Sequence, residues 1–134
     1  MKKNVITFGT FDLFHYGHLK ILKRASEYGD FLYVGVSSDM LNYKKKGYYP
    51  LIEQNYRLEI VGSLKFVSGV FLEESLEKKR EYILKYNAHY LIMGNDWKGK
   101  FDDLKDIVEV IYLPRTPDIS TSEIIQRIKL EQLR

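Results

Sequence analysis

Short β-rich runs alternate with helical stretches along the whole chain, and this alternation limits the fold more than any other feature. Val5-Ile6-Thr7-Phe8 is apolar and stops at Gly9, as a buried strand does. A loop over 10–17 leads to a helix over 18–28, with Ile21, Leu22 and Ala25 on one side and Gly29 at its stop. Residues 31–36 read as a second strand that ends in Ser37-Ser38-Asp39. Further strands are expected over 70–72, 90–93 and 108–113, and further helices over 54–64, 75–86 and 121–130. In the helix over 75–86, Leu76, Lys79, Ile83 and Tyr86 fall roughly in line. The pattern predicts one α/β domain over 1–134, with a mostly parallel five-stranded sheet covered by helices on both faces.

In open sheets of this kind, ligands sit beyond the carboxyl ends of the strands. The unusual polar residues gather at those ends: 9–18, 37–39, 94–96 and 115–121. The first group is Gly9-Thr10-Phe11-Asp12-Leu13-Phe14-His15-Tyr16-Gly17-His18. The chain has three histidines, and two of them flank Gly17 where a strand-end loop enters a helix. A helix N-terminus offers unpaired N–H groups and partial positive charge, which suits phosphate. Imidazoles at that point add donors for developing negative charge, and glycine admits a ligand close to the backbone. Metal ligation would need a third ligand, and the same element supplies no convincing one.

The last group is Arg115-Thr116-Pro117-Asp118-Ile119-Ser120-Thr121-Ser122. Ser120 and Glu123 have capping-box spacing, so a well-capped helix begins there. Capping leaves Arg115 and three consecutive hydroxyls unexplained; with free N–H groups they form a plausible triphosphate grip. Lys44-Lys45-Lys46-Gly47 reads as a loop, either solvated surface or a mobile segment able to close over phosphates. Asp96 would hold sugar hydroxyls or the base, or make a turn, and Trp97 would plug the core or a subunit surface. A Gly-x-x-x-x-Gly-Lys-Ser/Thr loop, a Gly-x-Gly-x-x-Gly after the first strand and a Gly-x-Ser-x-Gly elbow are all absent. P-loop enzymes, dinucleotide binders and elbow hydrolases are disfavoured accordingly.

Charge narrows the partners only slightly. Twenty-one basic against 18 acidic residues give a net charge of +3, too little to argue for nucleic acid but compatible with a small anionic ligand. Without cysteine there are no disulfides or thiolate metal sites. The apolar run after Met1-Lys2-Lys3-Asn4 is too short for a signal segment or a membrane span, so a cytoplasmic protein without membrane insertion is expected.

At these residues the chain resembles the nucleotidyltransferase superfamily with a His-x-Gly-His motif, and most closely the bacterial glycerol-3-phosphate cytidylyltransferases of teichoic acid synthesis. The resemblance is carried by 7–18, by 115–122 and by 93–102, which reads Met-Gly-Asn-Asp-Trp-Lys-Gly-Lys-Phe-Asp. It implies a Rossmann-like fold, a homodimer, and Mg²⁺ accompanying the triphosphate of CTP, with no metal ligands of the protein's own. CMP would pass from CTP to a small alcohol phosphate, glycerol 3-phosphate first, giving a CDP-alcohol and pyrophosphate. His15 and His18 would stabilise the α-phosphoryl group, with Lys46 and Arg115 beside them. Gly9, Thr10, Phe11, Lys65, Asp96, Thr116, Ile119, Ser120, Thr121 and Ser122 would complete the nucleotide site, and Lys45 and Lys79 would hold the acceptor. Three residues depart from the family pattern: Asp118 in place of a glycine, Lys65 in place of an arginine, and Leu76 in place of a tryptophan near the acceptor. The alternatives are an ATP-using adenylyltransferase of the same superfamily and a catalytically silent nucleotide-binding module, against which the intact His15/His18 pair speaks.

Overall fold

A computed structural model describes residues 1–117 and 119–131. Five strands, β1 (Asn4–Gly9), β2 (Phe31–Ser37), β3 (Gly69–Glu73), β4 (Tyr90–Gly94) and β5 (Glu109–Leu113), form one sheet in the order β3-β2-β1-β4-β5. Every neighbouring pair is parallel, so the sheet is wholly rather than mostly parallel. Helices α1 (Tyr16–Ser26), α2 (Asp39–Lys46), α3 (Gln54–Gly62), α4 (Lys79–Lys85) and α5 (Thr121–Glu131) join or follow the strands, with single 3₁₀ turns at Asn95–Trp97 and Asp102–Leu104.

The strands read as continuous apolar runs because both faces are covered, and successive side chains enter different cores. Val5, Leu32, Val34, Val36 and Ile92 pack with Leu22 and Ala25 of α1 and Val61 of α3. Ile6, Phe8, Leu91 and Met93 pack on the other face with Ile83 of α4 and with Leu104 and Val108. On that second face Gly35 leaves room for two rings: a Cβ there would lie 2.6 Å from Phe8 and 2.8 Å from Phe71.

Lys44-Lys45-Lys46, read as loop together with Gly47, form the last turn of the helix α2. Ser38 starts it, accepting a hydrogen bond from Leu41 N through its hydroxyl, and Gly47 ends it at φ +80°. The helix expected over 75–86 is shorter, since Ser75 donates its hydroxyl to Glu77 instead of capping a first turn. What positions the site is the strand order. From β1 the chain builds outward through β2 and β3, then returns to lay β4 on the other side of β1. The connections diverge there, opening a crevice above the ends of β1 and β4.

Candidate active site

A cavity of about 640 Å³ fills that crevice. Its walls come from five distant segments: 7–12 with His18, α2 and the loop after it, the end of β3 with Lys79, 93–97 with Phe101, and the first turns of α5. The β1 loop is wound tightly to reach it. Phe11 and Leu13 both take left-handed backbone, at φ +58° and +49°, a conformation costly for such residues and concentrated at functional sites. Phe11 folds its ring under Gly9, where a Cβ would come within 2.7 Å of it. Asp12 ties the loop to the segment after α2 by accepting hydrogen bonds from Leu51 N (2.8 Å) and Ile52 N (2.9 Å).

The two histidines form the N-terminal cap of α1. His15 Nδ1 accepts from Gly17 N at 3.0 Å, and His18 Nδ1 accepts from the N–H of His15 at 3.2 Å. Because each Nδ1 is an acceptor, each neutral ring must carry its proton on Nε2. The rings stack with centroids 3.8 Å apart. Burial pushes the His18 pKa down to about 3, helped by the adjoining His15 and by the Lys46 charge, and burial also lowers His15. The pair is therefore a pair of neutral donors at a positively polarised helix end. Gly17 is required between them, since a Cβ there would stand 2.8 Å from the His15 ring.

The hydroxyl of Thr121 ties this motif to the second one. It donates to Asp12 O (3.1 Å), which leaves its oxygen to receive the His15 Nε2–H at 3.2 Å. Ser120 caps α5 by accepting from Glu123 N, and Ile119 packs near Gly17. The N-termini of α1 and α5 thus meet at one wall, and Thr121 and Ser122 line the cavity.

A second wall is cationic. Lys45 donates to the Ser37 hydroxyl at 2.8 Å, and burial brings its pKa down to about 8; Glu73 partly offsets this, while Lys79, Lys46 and Arg57 add to it. Lys79 is 5% exposed and paired with Glu73, which is 1% exposed. Its Nζ lies 4.0 Å from the Phe8 ring centre and 5.1 Å from that of Phe101, and burial still lowers its pKa against the pull of Glu73.

Gly9, Thr10, Phe11, His18, Lys45, Lys46, Lys79, Asp96, Thr121 and Ser122 line the cavity, and His15 borders it through Thr121. Asp96 folds back over Gly94, and Trp97 is half-buried against Phe101 on the cavity wall, where it packs on the apolar layer of the second sheet face. Leu76 is at the cavity rim, 40% exposed. Arg115 and Thr116 stand on the segment after β5, outside the lining residues. Lys65 corrects an expectation: it is exposed and precedes β3, so it stands toward the amino end of the sheet, away from the cavity. Asp118 lies outside the described residues.

Sequence reasoning missed Arg57 and Glu73. Arg57 is 1% exposed in α3 and donates to Ile52 O (2.7 Å), to Thr10 O and Ser37 O (2.8 Å each), and to the Asp39 carboxylate (2.6 Å). One guanidinium thus fixes the β1 loop, the end of β2 and the start of α2. The helical pattern gave no sign of it, but two acidic residues at helix starts nearby, Asp39 and Glu53, marked a place where a cation could be wanted.

The chain is similar to known proteins over most of its length. The model of a family described as cytidylyltransferase-like matches residues 6–127. The chain is 45% identical over 128 residues to the glycerol-3-phosphate cytidylyltransferase of Bacillus subtilis (strain 168), covering 94% of this chain and 97% of that one. It is 44% identical over 128 residues to the enzyme of that name from Staphylococcus aureus (strain NCTC 8325 / PS 47), covering 94% and 95%. The fold matches a lipopolysaccharide core biosynthesis protein from Thermoplasma volcanium GSS1, with TM-score 0.74 at 24% identity over 87% of this chain and 99% of that one.

Proposed function

The chain belongs to the cytidylyltransferase-like family, and on that premise we propose that it transfers CMP from CTP to glycerol 3-phosphate, releasing pyrophosphate and CDP-glycerol. The observation that carries this reading is the two-walled cavity: the neutral Nε2–H of His18 and the first turn of α5 share one space with Lys45 and Lys79. Nucleotide and acceptor phosphates would occupy the two walls and meet between them.

The step is a direct displacement. An oxygen of the acceptor phosphate attacks the α-phosphorus of CTP, a new P–O bond forms, and the bond to the β-phosphate oxygen breaks with its electrons leaving on pyrophosphate. The acceptor needs no general base, because its phosphate is already an anion. Alignment and donors aimed at the developing charge supply the catalysis. His18 donates from Nε2 to the α-phosphoryl oxygens, with His15 locked beside it by Thr121. Gly9, Thr10 and Phe11 line the floor, and Lys46, Ser120, Thr121 and Ser122 hold phosphates. Arg115, Thr116 and Ile119 would complete the grip, and Asp96 would take a sugar or base group. Mg²⁺ enters as the triphosphate's counter-ion, part of the substrate; Asp12, the acidic residue of the first motif, is engaged by Leu51 and Ile52. The reading includes a homodimer and a cytoplasmic location. No helix among the described residues is long and apolar enough to cross a membrane.

The test incubates the protein with each of the four nucleoside triphosphates, Mg²⁺ and glycerol 3-phosphate, and measures pyrophosphate and the nucleotide product. CTP alone should give rapid release, and His18→Ala should lower turnover on the order of a hundredfold. A preference for ATP, or a His18→Ala enzyme of near-normal turnover, would overturn the reading.

A further inference from the structure

Glu73 plays no part in the transfer as derived above, yet its carboxylate stands inside the acceptor end of the cavity. It closes β3, is 1% exposed, and is a lining residue. One oxygen, Oε2, receives the Lys79 ammonium. No described residue donates a hydrogen bond to the other, Oε1, although every fully enclosed side-chain oxygen of the described residues has a partner. Oε1 is therefore not fully enclosed, and the space that Glu73 lines is the cavity.

Two buried lysines are enough to receive a phosphate dianion. A carboxylate set between them weakens that attraction, and burying it is costly unless its oxygens are matched. The pair is also rigid: Phe8 and Phe101 hold the Lys79 ammonium, and the Ser37 hydroxyl holds Lys45. Glu73 cannot swing aside while Lys79 stays in place. Its chemistry is that of an acceptor of hydrogen bonds in a cationic pocket, and it suits a ligand that brings donors together with its phosphate.

Resting on the transferase reading, we infer that Glu73 is a specificity-determining residue of the acceptor subsite. Its Oε1 accepts a hydrogen bond from a hydroxyl of the alcohol phosphate, and its charge excludes acceptors carrying a carboxylate. Phosphate recognition by the lysines and hydroxyl recognition by Glu73 then measure the two ends of one small molecule. A site that hydrogen-bonds a substrate hydroxyl rejects analogues lacking it, because the buried group is left unmatched.

The experiment compares wild type with Glu73→Gln, an isosteric change, at fixed CTP. The acceptors are glycerol 3-phosphate, its two monodeoxy analogues (the phosphates of propane-1,3-diol and propane-1,2-diol) and 3-phosphoglycerate, and the readout is kcat/KM. Wild type should prefer glycerol 3-phosphate to at least one deoxy analogue by about 10- to 100-fold, the range for a hydrogen bond to a charged group. In Glu73→Gln that preference should shrink about tenfold, and relative use of 3-phosphoglycerate should rise. A variant that loses the same factor on every acceptor, as a residue that only holds Lys79 would, overturns the inference. So does a wild type that uses glycerol 3-phosphate and both deoxy analogues equally, which decides the matter even if the variant does not fold. A wild type that makes no product from CTP and glycerol 3-phosphate sinks instead the transferase reading beneath it.

Discussion

Lys45 is the residue through which pH should act on this site. Its ammonium is buried beside Lys79, Lys46 and Arg57, with Glu73 as the compensating charge, and its pKa comes down to about 8. Below that pH it is charged and able to bind an anion; above it the charge is lost. Since kcat/KM reports the free enzyme, its value for the acceptor should fall roughly tenfold per unit once pH passes about 8. Turnover at saturating acceptor should change less, because a bound dianion favours the ammonium. His18 adds no limb near neutrality, having been driven to about 3. A profile from pH 7 to 9.5 on wild type and Lys45→Arg checks this: arginine stays charged, so the alkaline limb should vanish. Persistence of the limb in that variant would assign it to another group. At this scale the sequence was readable where scarce residues met a helix start, as His15 and His18 did. It was silent where a long charged side chain was buried. Arg57 sits on a helix whose pattern makes a cation read as surface, and only tertiary partners distant in sequence, Thr10 O and Ser37 O, make its burial tolerable.

Among the elements, the long apolar strands and helices were legible to within a few residues, while the short polar ones were not. The helix α2 has eight residues, three of them consecutive lysines, and buries only Leu41 and Asn42. So small an apolar stripe carries little periodic signal. Ser38 and Gly47, its two caps, were the residues that could have disclosed it. The helix stays in place largely through what grips its ends: Arg57 holds Asp39, and Asn42 Nδ2 donates to Tyr48 O while its Oδ1 accepts from the Thr10 hydroxyl. Replacing Arg57 by Met should therefore damage both stability and the site. The carbonyls of Thr10 and Ser37 and the Asp39 carboxylate would lose their donor, at about 1–3 kcal/mol for each group left buried and unmatched. Asp39 is partly exposed and recovers some hydration, so a loss of about 2–4 kcal/mol in urea unfolding is the expected result. Arg57→Met with wild-type stability would mean that these carbonyls find other donors, and that the β1 loop and α2 are held independently.

For the molecule as a whole, five segments scattered from Thr7 to Lys129 converge on one cavity without forming a continuous core. The sheet and its two apolar layers follow from local pattern and from the crossover rule. So did the expectation that the polar clusters share one edge, because parallel strands must all end on the same side. The order β3-β2-β1-β4-β5 is different in kind: no local signal tells a chain on which side of β1 the fourth strand returns. That return opens the crevice that His18, Thr121, Lys45 and Lys79 all line. A ligand spanning the crevice binds the folded chain and not the unfolded one, so it must stabilise the fold by mass action. Free CTP at a hundredfold excess over its Kd should add about 2.7 kcal/mol. In a chain of 134 residues this corresponds to a rise in Tm of several degrees. ATP at equal concentration should add less, if the nucleotide wall distinguishes bases. His18→Ala should keep most of the CTP shift, because a donor aimed at charge that develops during the reaction contributes little to ground-state binding. Loss of the whole shift in that variant would place His18 in nucleotide binding and take away its assigned part in the transition state. A scan of melting temperature against CTP and ATP, with Mg²⁺ held constant, separates these outcomes.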